Sequence, residues 1–139
     1  MENNTKDIPE LQIAKWADYN HDGDLMINSA QREIQMCNSD GTGSPLFSFN
    51  GFGADVIRFA ASKGVGNHVH EGDHILFVLK GFGFVEYNGV DHPLYPGLSY
   101  LIPGEVNHAI KANDDLVLIA VGNNHRPLDS QERMTPIDK

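Results

Sequence analysis

The sequence predicts an all-β domain, a sandwich or small barrel of short strands. Three observations lead there. Short apolar or alternating runs recur along the chain, bounded by turn residues about every eight to twelve positions. Glycine (14 residues) and proline (7 residues) are plentiful, as a turn-rich fold requires. Few stretches carry the period of an amphipathic helix. With 139 residues, 40% of them hydrophobic and 21% charged, the chain has the material for one domain with a real core and not comfortably for two.

Taken in order, residues 1–10 read as a flexible polar arm, 11–122 as the β domain, and 123–139 as a polar, proline-interrupted tail that wraps over the surface or stays loose. Residues 11–17 have helical and strand features together, with Leu11, Ile13 and Trp16 expected to pack on the domain. Asp18 to Asp24 imitates the opening of a calcium loop, but the twelfth position, where a bidentate Glu closes such a cage, is Ser29. An Asp–Gly turn with Asn20 and Asp22 bonding their own backbone is the better reading. Gln31 to Cys37 reads as extended, which makes Cys37 a small buried hydrophobe rather than a nucleophile. Asp40 to Pro45 reads as a loop, Leu46–Phe49 and Asp55–Phe59 as strands, and Phe82–Tyr87 as another. Asn88-Gly89 is the strongest hairpin signal, since a type I′ turn needs positive φ at both central positions. Pro93 to Pro96 breaks the following segment. Leu98–Ile102, Val106–Ile110 and Leu116–Val121 complete the strands; the last is apolar throughout and is expected to be buried on both faces.

Charge excludes some functions. A net charge of −9 is wrong for nucleic-acid phosphates and for an anionic membrane surface. A lone cysteine excludes an intrachain disulfide framework and leans to a reducing compartment. The polar start, MENNTKDIPELQ, has no apolar core of a secretion signal, and no apolar run is long enough for a bilayer-spanning helix; the cytoplasm is the expected location.

The chemistry concentrates between Gly64 and Gly81, GVGNHVHEGDHILFVLKG. On a strand, His68 and His70 share a face. Glu71-Gly72-Asp73 makes a turn, and His74 opens the returning apolar strand. Such a hairpin brings three imidazoles to one point, and neutral imidazole is a common ligand of divalent transition metals. A histidine pair of this kind is by itself weak evidence, because single histidines are more often surface or hydrogen-bonded residues. A second segment adds to it: Gly97, five residues, Pro103, then His108 five further on.

Together the two segments resemble the paired motifs of the cupin superfamily, G-x5-H-x-H-x3,4-E-x6-G and G-x5-P-x-G-x2-H-x3-N. The first stands here as His68-x-His70-x3-His74-x6-Gly81, the second as Gly97-x5-Pro103-x-Glu105-x2-His108. Histidine replaces the usual Glu at His74, Ser62 replaces the first Gly (with Gly64 and Gly66 able to supply the bend), Glu105 replaces the Gly of the second motif, and the final Asn is not carried over. The resemblance implies a single-domain double-stranded β-helix, a jelly-roll β-barrel. It implies one divalent transition metal per chain held by His68, His70, His74 and His108, with manganese ranked first and iron, nickel and zinc behind. Four neutral ligands leave that metal its full charge, and in an octahedral site two positions stay open to water, substrate or dioxygen.

Strand parity from His74 and His108 makes Leu76, Val78, Val106 and Ile110 apolar walls of the pocket. Arg58, Tyr100 and Asn107 are the polar candidates beside it; Glu71 and Asp73 flank the ligands in a supporting role, and no catalytic acid or base stands out. Two functions follow. One is a small metalloenzyme, an oxygenase or a Lewis-acid isomerase, cyclase or lyase acting on a small organic molecule; it ranks above a non-catalytic cupin that binds a metal or small ligand for sensing or storage. Small cupins commonly pair, so a homodimer is expected, with Phe47, Phe49 and Ile57 as candidates for the face it buries.

Overall fold

The computed structural model describes residues 7–27 and 33–137. Their strands are β1 (Ala17–Tyr19), β2 (Leu25–Ile27), β3 (Ile34–Gln35), β4 (Thr42–Phe49), β5 (Phe52–Phe59), β6 (Gly64–Val69), β7 (His74–Lys80), β8 (Gly83–Tyr87), β9 (Val90–Leu94), β10 (Ser99–Ile102), β11 (His108–Ala112), β12 (Leu116–Gly122) and β13 (Thr135–Pro136). The described residues contain no α-helix. Two antiparallel sheets make the domain, in the orders β10-β7-β12-β5-β4-β3 and β13-β6-β11-β8-β9, and β1-β2 forms a separate hairpin. The chain alternates between the sheets, which remain open at their edges: a jelly-roll sandwich, with a barrel-like interior not closed by hydrogen bonds.

The sequence explains the layout. β12 lies between β5 and β7, and Leu116, Val117, Leu118 and Ala120 are all buried, as a strand apolar on both faces requires. Ile57, Phe59, Leu76, Val78, Val85, Ile102 and Ile110 fill the space between the sheets. Asn88 (φ 49°) and Gly89 (φ 87°) make the expected tight turn between β8 and β9.

Several expectations change. Thr42 to Pro45 is strand, not loop. Pro45 is tolerated because the β4–β5 register shifts between Pro45 and Phe47, a bulge where a missing N–H costs little. Pro93 likewise sits in β9, the edge of its sheet, where no outer neighbour asks for its N–H. Leu11 and Ile13 do not pack on the domain; they are 84% and 82% exposed, and only Trp16 is half-buried. Cys37 lies half-buried in a turn after β3. Ile57 is buried in the interior and is no candidate for an outer face, because parity along β5 sends it inward with Phe59. The calcium-like stretch is the β1–β2 hairpin: the Asn20 Oδ1 accepts from the N–H groups of Asp22 (3.0 Å) and Asp24 (2.9 Å). Ser29, with Gln31 and Arg32, lies outside the described residues.

The largest change concerns the segment after β12. Leu128, Arg133 and Met134 are buried, β13 pairs with β6, and Ile137 donates its N–H to the Asn67 carbonyl. This segment closes one end of the interior instead of lying over the surface.

Candidate metal centre

Register brings the histidines together. β6 ends at His68 and Val69, with His70 immediately after it; β11 begins at His108, directly opposite His68. The coordinating atoms of His68, His70 and His108 all lie within 4.8 Å of one another, and all three residues are buried. The Nε2 atoms of His70 and His108 are 3.1 Å apart.

Each of these rings is fixed from behind by a backbone carbonyl. Nδ1 of His68 donates to Gly66 (2.8 Å), Nδ1 of His70 to Gly72 (2.8 Å), and Nδ1 of His108 to Val106 (2.9 Å). A carbonyl oxygen only accepts, so the proton of each neutral ring is on Nδ1 and the lone pair is on Nε2. Desolvation keeps the rings neutral. Burial pushes His68 down to about 4, helped by His70 and Arg133, and His108 down to about 3, helped by His68. His70 is lowered too, again chiefly by burial. Three bare nitrogen lone pairs therefore face one small space, which is how histidine ligands are prepared for a cation.

His74 joins this group differently. Its ring stacks on that of His70, with centroids 4.0 Å apart and planes inclined by 19°. Burial, then the neighbouring His70 and Arg133, holds its pKa at about 2. It lines the same cavity but is not part of the convergent trio.

The turns carrying the ligands are tied together. Asp73 Oδ1 accepts from the Gly104 N–H (2.7 Å), and the Asp73 N–H donates to Asn123 Oδ1 (2.8 Å). The Gly104 bond, with the Asn123 amide, holds the Asp73 carboxyl below its ordinary range. The Glu105 N–H donates to the His70 carbonyl (2.8 Å). Asp73 thus braces the loop between β6 and β7 from the side, while Glu71 pairs with Arg126 at 2.9 Å.

The cavity behind the histidines has a volume of about 40 Å³. Of the residues picked from the sequence, Leu76, Tyr100 and Ile110 line it. Val78 is buried deeper in the core and does not line it. Val106 precedes β11, so strand parity never applied to it; its contribution is the carbonyl that holds His108. Arg58 has the opposite parity to Ile57 and Phe59 and faces away, toward Ser44 and Glu33. Asn107 does not line the cavity, and its Oδ1 is buried without a hydrogen bond. The Tyr100 hydroxyl is also buried and unpartnered.

The sequence reading missed a buried charged group at the same end. The Asp55 Oδ2 lies 2.7 Å from His125 Nε2 and 3.0 Å from Arg133 Nη1, and each of these side chains is at least nine-tenths buried. Asp55 had left a signal: an acid at an inward-parity position of an apolar strand. Arg133 had left none, because nothing in the polar tail is periodic.

Residues 56–122 match the cupin domain family. No protein of curated function matches the chain. Solved structures share its fold. An RmlC-like cupin from Shewanella frigidimarina is 21% identical with a TM-score of 0.64, the alignment covering 81% of this chain and 96% of that one. A predicted oxalate decarboxylase from Thermotoga maritima is 23% identical (TM-score 0.62; 68% and 94%). The polyketide cyclase RemF from Streptomyces resistomycificus is 16% identical (TM-score 0.66; 80% and 82%). The domain match covers a little under half of the chain, and these neighbours share its fold.

Proposed function

We propose that this chain is a metal-dependent cupin, a small metalloenzyme whose centre is held by His68, His70 and His108 with His74 as fourth ligand. One observation carries the reading: the Nε2 atoms of His70 and His108 stand 3.1 Å apart, and in the neutral rings neither has a proton to share. Two lone pairs at that distance repel unless a cation lies between or beside them. Buried polar groups left in this state call for a further partner.

A divalent ion held there supplies Lewis acidity toward an oxygen of a small organic substrate. The chain's own contribution is to keep four imidazoles neutral by burial, to fix three of them through the carbonyls of Gly66, Gly72 and Val106, and to exclude water with Leu76, Ile102 and Ile110. The reaction class stays broad: an oxygenase, or an isomerase, cyclase or lyase. The structural neighbours, among them the RemF polyketide cyclase and the predicted oxalate decarboxylase, are compatible with that breadth, since one fold serves many chemistries. Manganese ranks first by family resemblance, then iron, nickel and zinc, because imidazole does not choose among them. Action in the cytoplasm belongs to the same proposal.

The small cavity, about 40 Å³, favours a second reading, a non-catalytic cupin that holds a metal or a very small ligand. One experiment separates them. Protein purified without chelators or a nickel column is expected to carry close to one transition metal per chain. Turnover of some small enol, diketone or phenol should vanish on chelation and return with metal. Two firmly bound metals, or none after metal-replete growth, would count against the centre. Metal without turnover, with a tightly held ligand, would favour the binding role.

A further inference from the structure

We propose that Arg133 makes this cavity a site for a small organic anion, a carboxylate or an enolate, with the Tyr100 hydroxyl as a second donor. The inference deepens the metal-site reading above and rests on it, since it names the substrate class of the same cavity.

The walls carry one formal charge. Arg133 is 7% exposed and lines the cavity together with the histidines, and among the described residues no lining side chain is an acid. A chain with a net charge of −9 has thus placed a cation, and no anion, on the wall of this cavity.

The guanidinium is not used up. Nη1 makes both of its contacts, 3.0 Å to Asp55 Oδ2 and 2.9 Å to the Arg126 carbonyl. Nε and Nη2 make no hydrogen bond among the described residues. Asp55 Oδ2 meets Arg133 as an ion pair and lies beside His125, and neither contact is aligned as a hydrogen bond. Asp55 therefore holds Arg133 in place by charge and leaves the other side of a planar fork open, the side that binds a carboxylate through two parallel N–H groups. Neither nitrogen is fully buried, so this edge of the fork can be reached from solvent.

Tyr100 supplies the second observation. Its hydroxyl is buried and has no partner, and it faces the same cavity from β10. An O–H group in that condition is a donor waiting for an acceptor. The open guanidinium edge and the orphaned hydroxyl, beside a cation held by the imidazole nitrogens, fit an anion with two or more oxygens. The cavity volume of about 40 Å³ excludes anything large without movement of the segment that carries Arg133 and Met134.

The test uses acetate and its uncharged isostere acetamide, both small enough for the cavity. They are titrated into zinc-loaded and metal-free full-length protein, followed by NMR shifts of the Tyr100 and histidine rings. Arg133→Gln is expected to weaken acetate by about tenfold to a hundredfold and to leave acetamide nearly unchanged. Arg133→Lys keeps the charge without the fork and should fall between. Tyr100→Phe should weaken both probes, since the hydroxyl donates to either carbonyl oxygen. Because Arg133→Gln strands the Asp55 carboxylate, the double variant Asp55→Asn/Arg133→Gln is measured beside it; it removes both charges together and should show the same selective loss. Equal acetate binding in the wild type and in the folded double variant overturns the proposal, as does a loss that is equal for both probes, or no acetate-induced shift in the wild type. Zinc content keeps the two readings apart. An Arg133-dependent preference in metal-free protein that cannot hold zinc supports the anion site and removes the metal centre; zinc binding without that preference does the reverse.

Discussion

Gly122 lies against the ring of His74. The two are register partners across β12 and β7, and a Cβ added at Gly122 would overlap His74 Cδ2 and stand 3.1 Å from its Nε2. The missing side chain lets the imidazole lie flat over β12 and stack on His70. The same Cβ would meet the Asp73 carbonyl at 2.6 Å, so Gly122→Ala displaces His74 together with the start of β7, without deleting the ring. His68→Ala and His108→Ala are expected to remove metal binding. His74→Ala should weaken it by at least what loss of a supporting group costs, about tenfold to a hundredfold. Gly122→Ala should reproduce much of that loss with all four histidines present. Competition against a chelator measures each. Unchanged affinity in His74→Ala would reduce the centre to three histidines.

What was legible in the sequence was whatever obeys a local period or a turn rule. Most strands between Asp55 and Val121 followed from alternation and from turns such as Asn88-Gly89, β9 with its Pro93 excepted, and the pairing of His68 and His70 on one face needed only period two. What was illegible depended on contacts far along the chain. Arg133 reaches the cavity because Leu128 and Met134 bury beside it, and their short polar segment has no pattern to announce this. Arg58 faces away because its parity along β5 is opposite to that of Ile57 and Phe59, which point inward. Val106 escapes that rule, because it precedes β11 and strand parity does not apply to it.

The two departures from the glycines of the cupin motifs share an explanation. Ser62 (φ 73°) and Glu105 (φ 67°) both adopt the left-handed conformation that glycine takes without strain. The backbone turn has been kept and only the side chain changed, so Gly64 and Gly66 need not supply the bend. For a residue with a Cβ, this conformation costs about 1–2 kcal/mol, while glycine costs about 0.5–1 kcal/mol in extra chain entropy. Glu105→Gly is therefore expected to raise stability by about 0.5–1 kcal/mol, read as a higher urea midpoint with an unchanged slope. A loss of stability would mean that the Glu105 side chain makes a compensating contact.

Assembly can be argued from the outer face of the six-stranded sheet. Ile75, Phe77 and Leu101 project outward there, between 40% and 56% exposed, with Ile75 opposite Leu101 in register. β10 is also an open sheet edge. An apolar patch beside an unpaired edge is what a self-associating sheet presents. A homodimer through this face is the expected state, with Phe47 and Phe49 as further exposed aromatics on β4. Light scattering should give twice the chain mass, and Phe77→Glu or Leu101→Glu should halve it. A clean monomer at high concentration, before any substitution, would refute the dimer.

Acid should act on this protein through its histidines, and the sign can be worked out. In the unfolded chain a histidine titrates near 6.5. In the fold, burial lowers His68 to about 4, His108 to about 3 and His74 to about 2. Between those values the unfolded state binds more protons than the native state, so stability falls as pH falls. The full contribution is present above about 6.5 and is lost progressively toward pH 4 and below, each such ring contributing up to about 1.4 kcal/mol per pH unit. Metal should be lost in the same direction, because protons compete for every Nε2. Urea unfolding of metal-free protein at neutral pH and near pH 5 is expected to show the drop, and His74→Gln should make it shallower by removing one titrating ring. His74→Glu should keep the centre, lower its charge by one and soften the acid limb of metal binding. A stability that does not change between about pH 6.5 and 5 would mean that the rings are hydrated and readily protonated in the fold, and the bare lone pairs on which the metal centre rests would not exist.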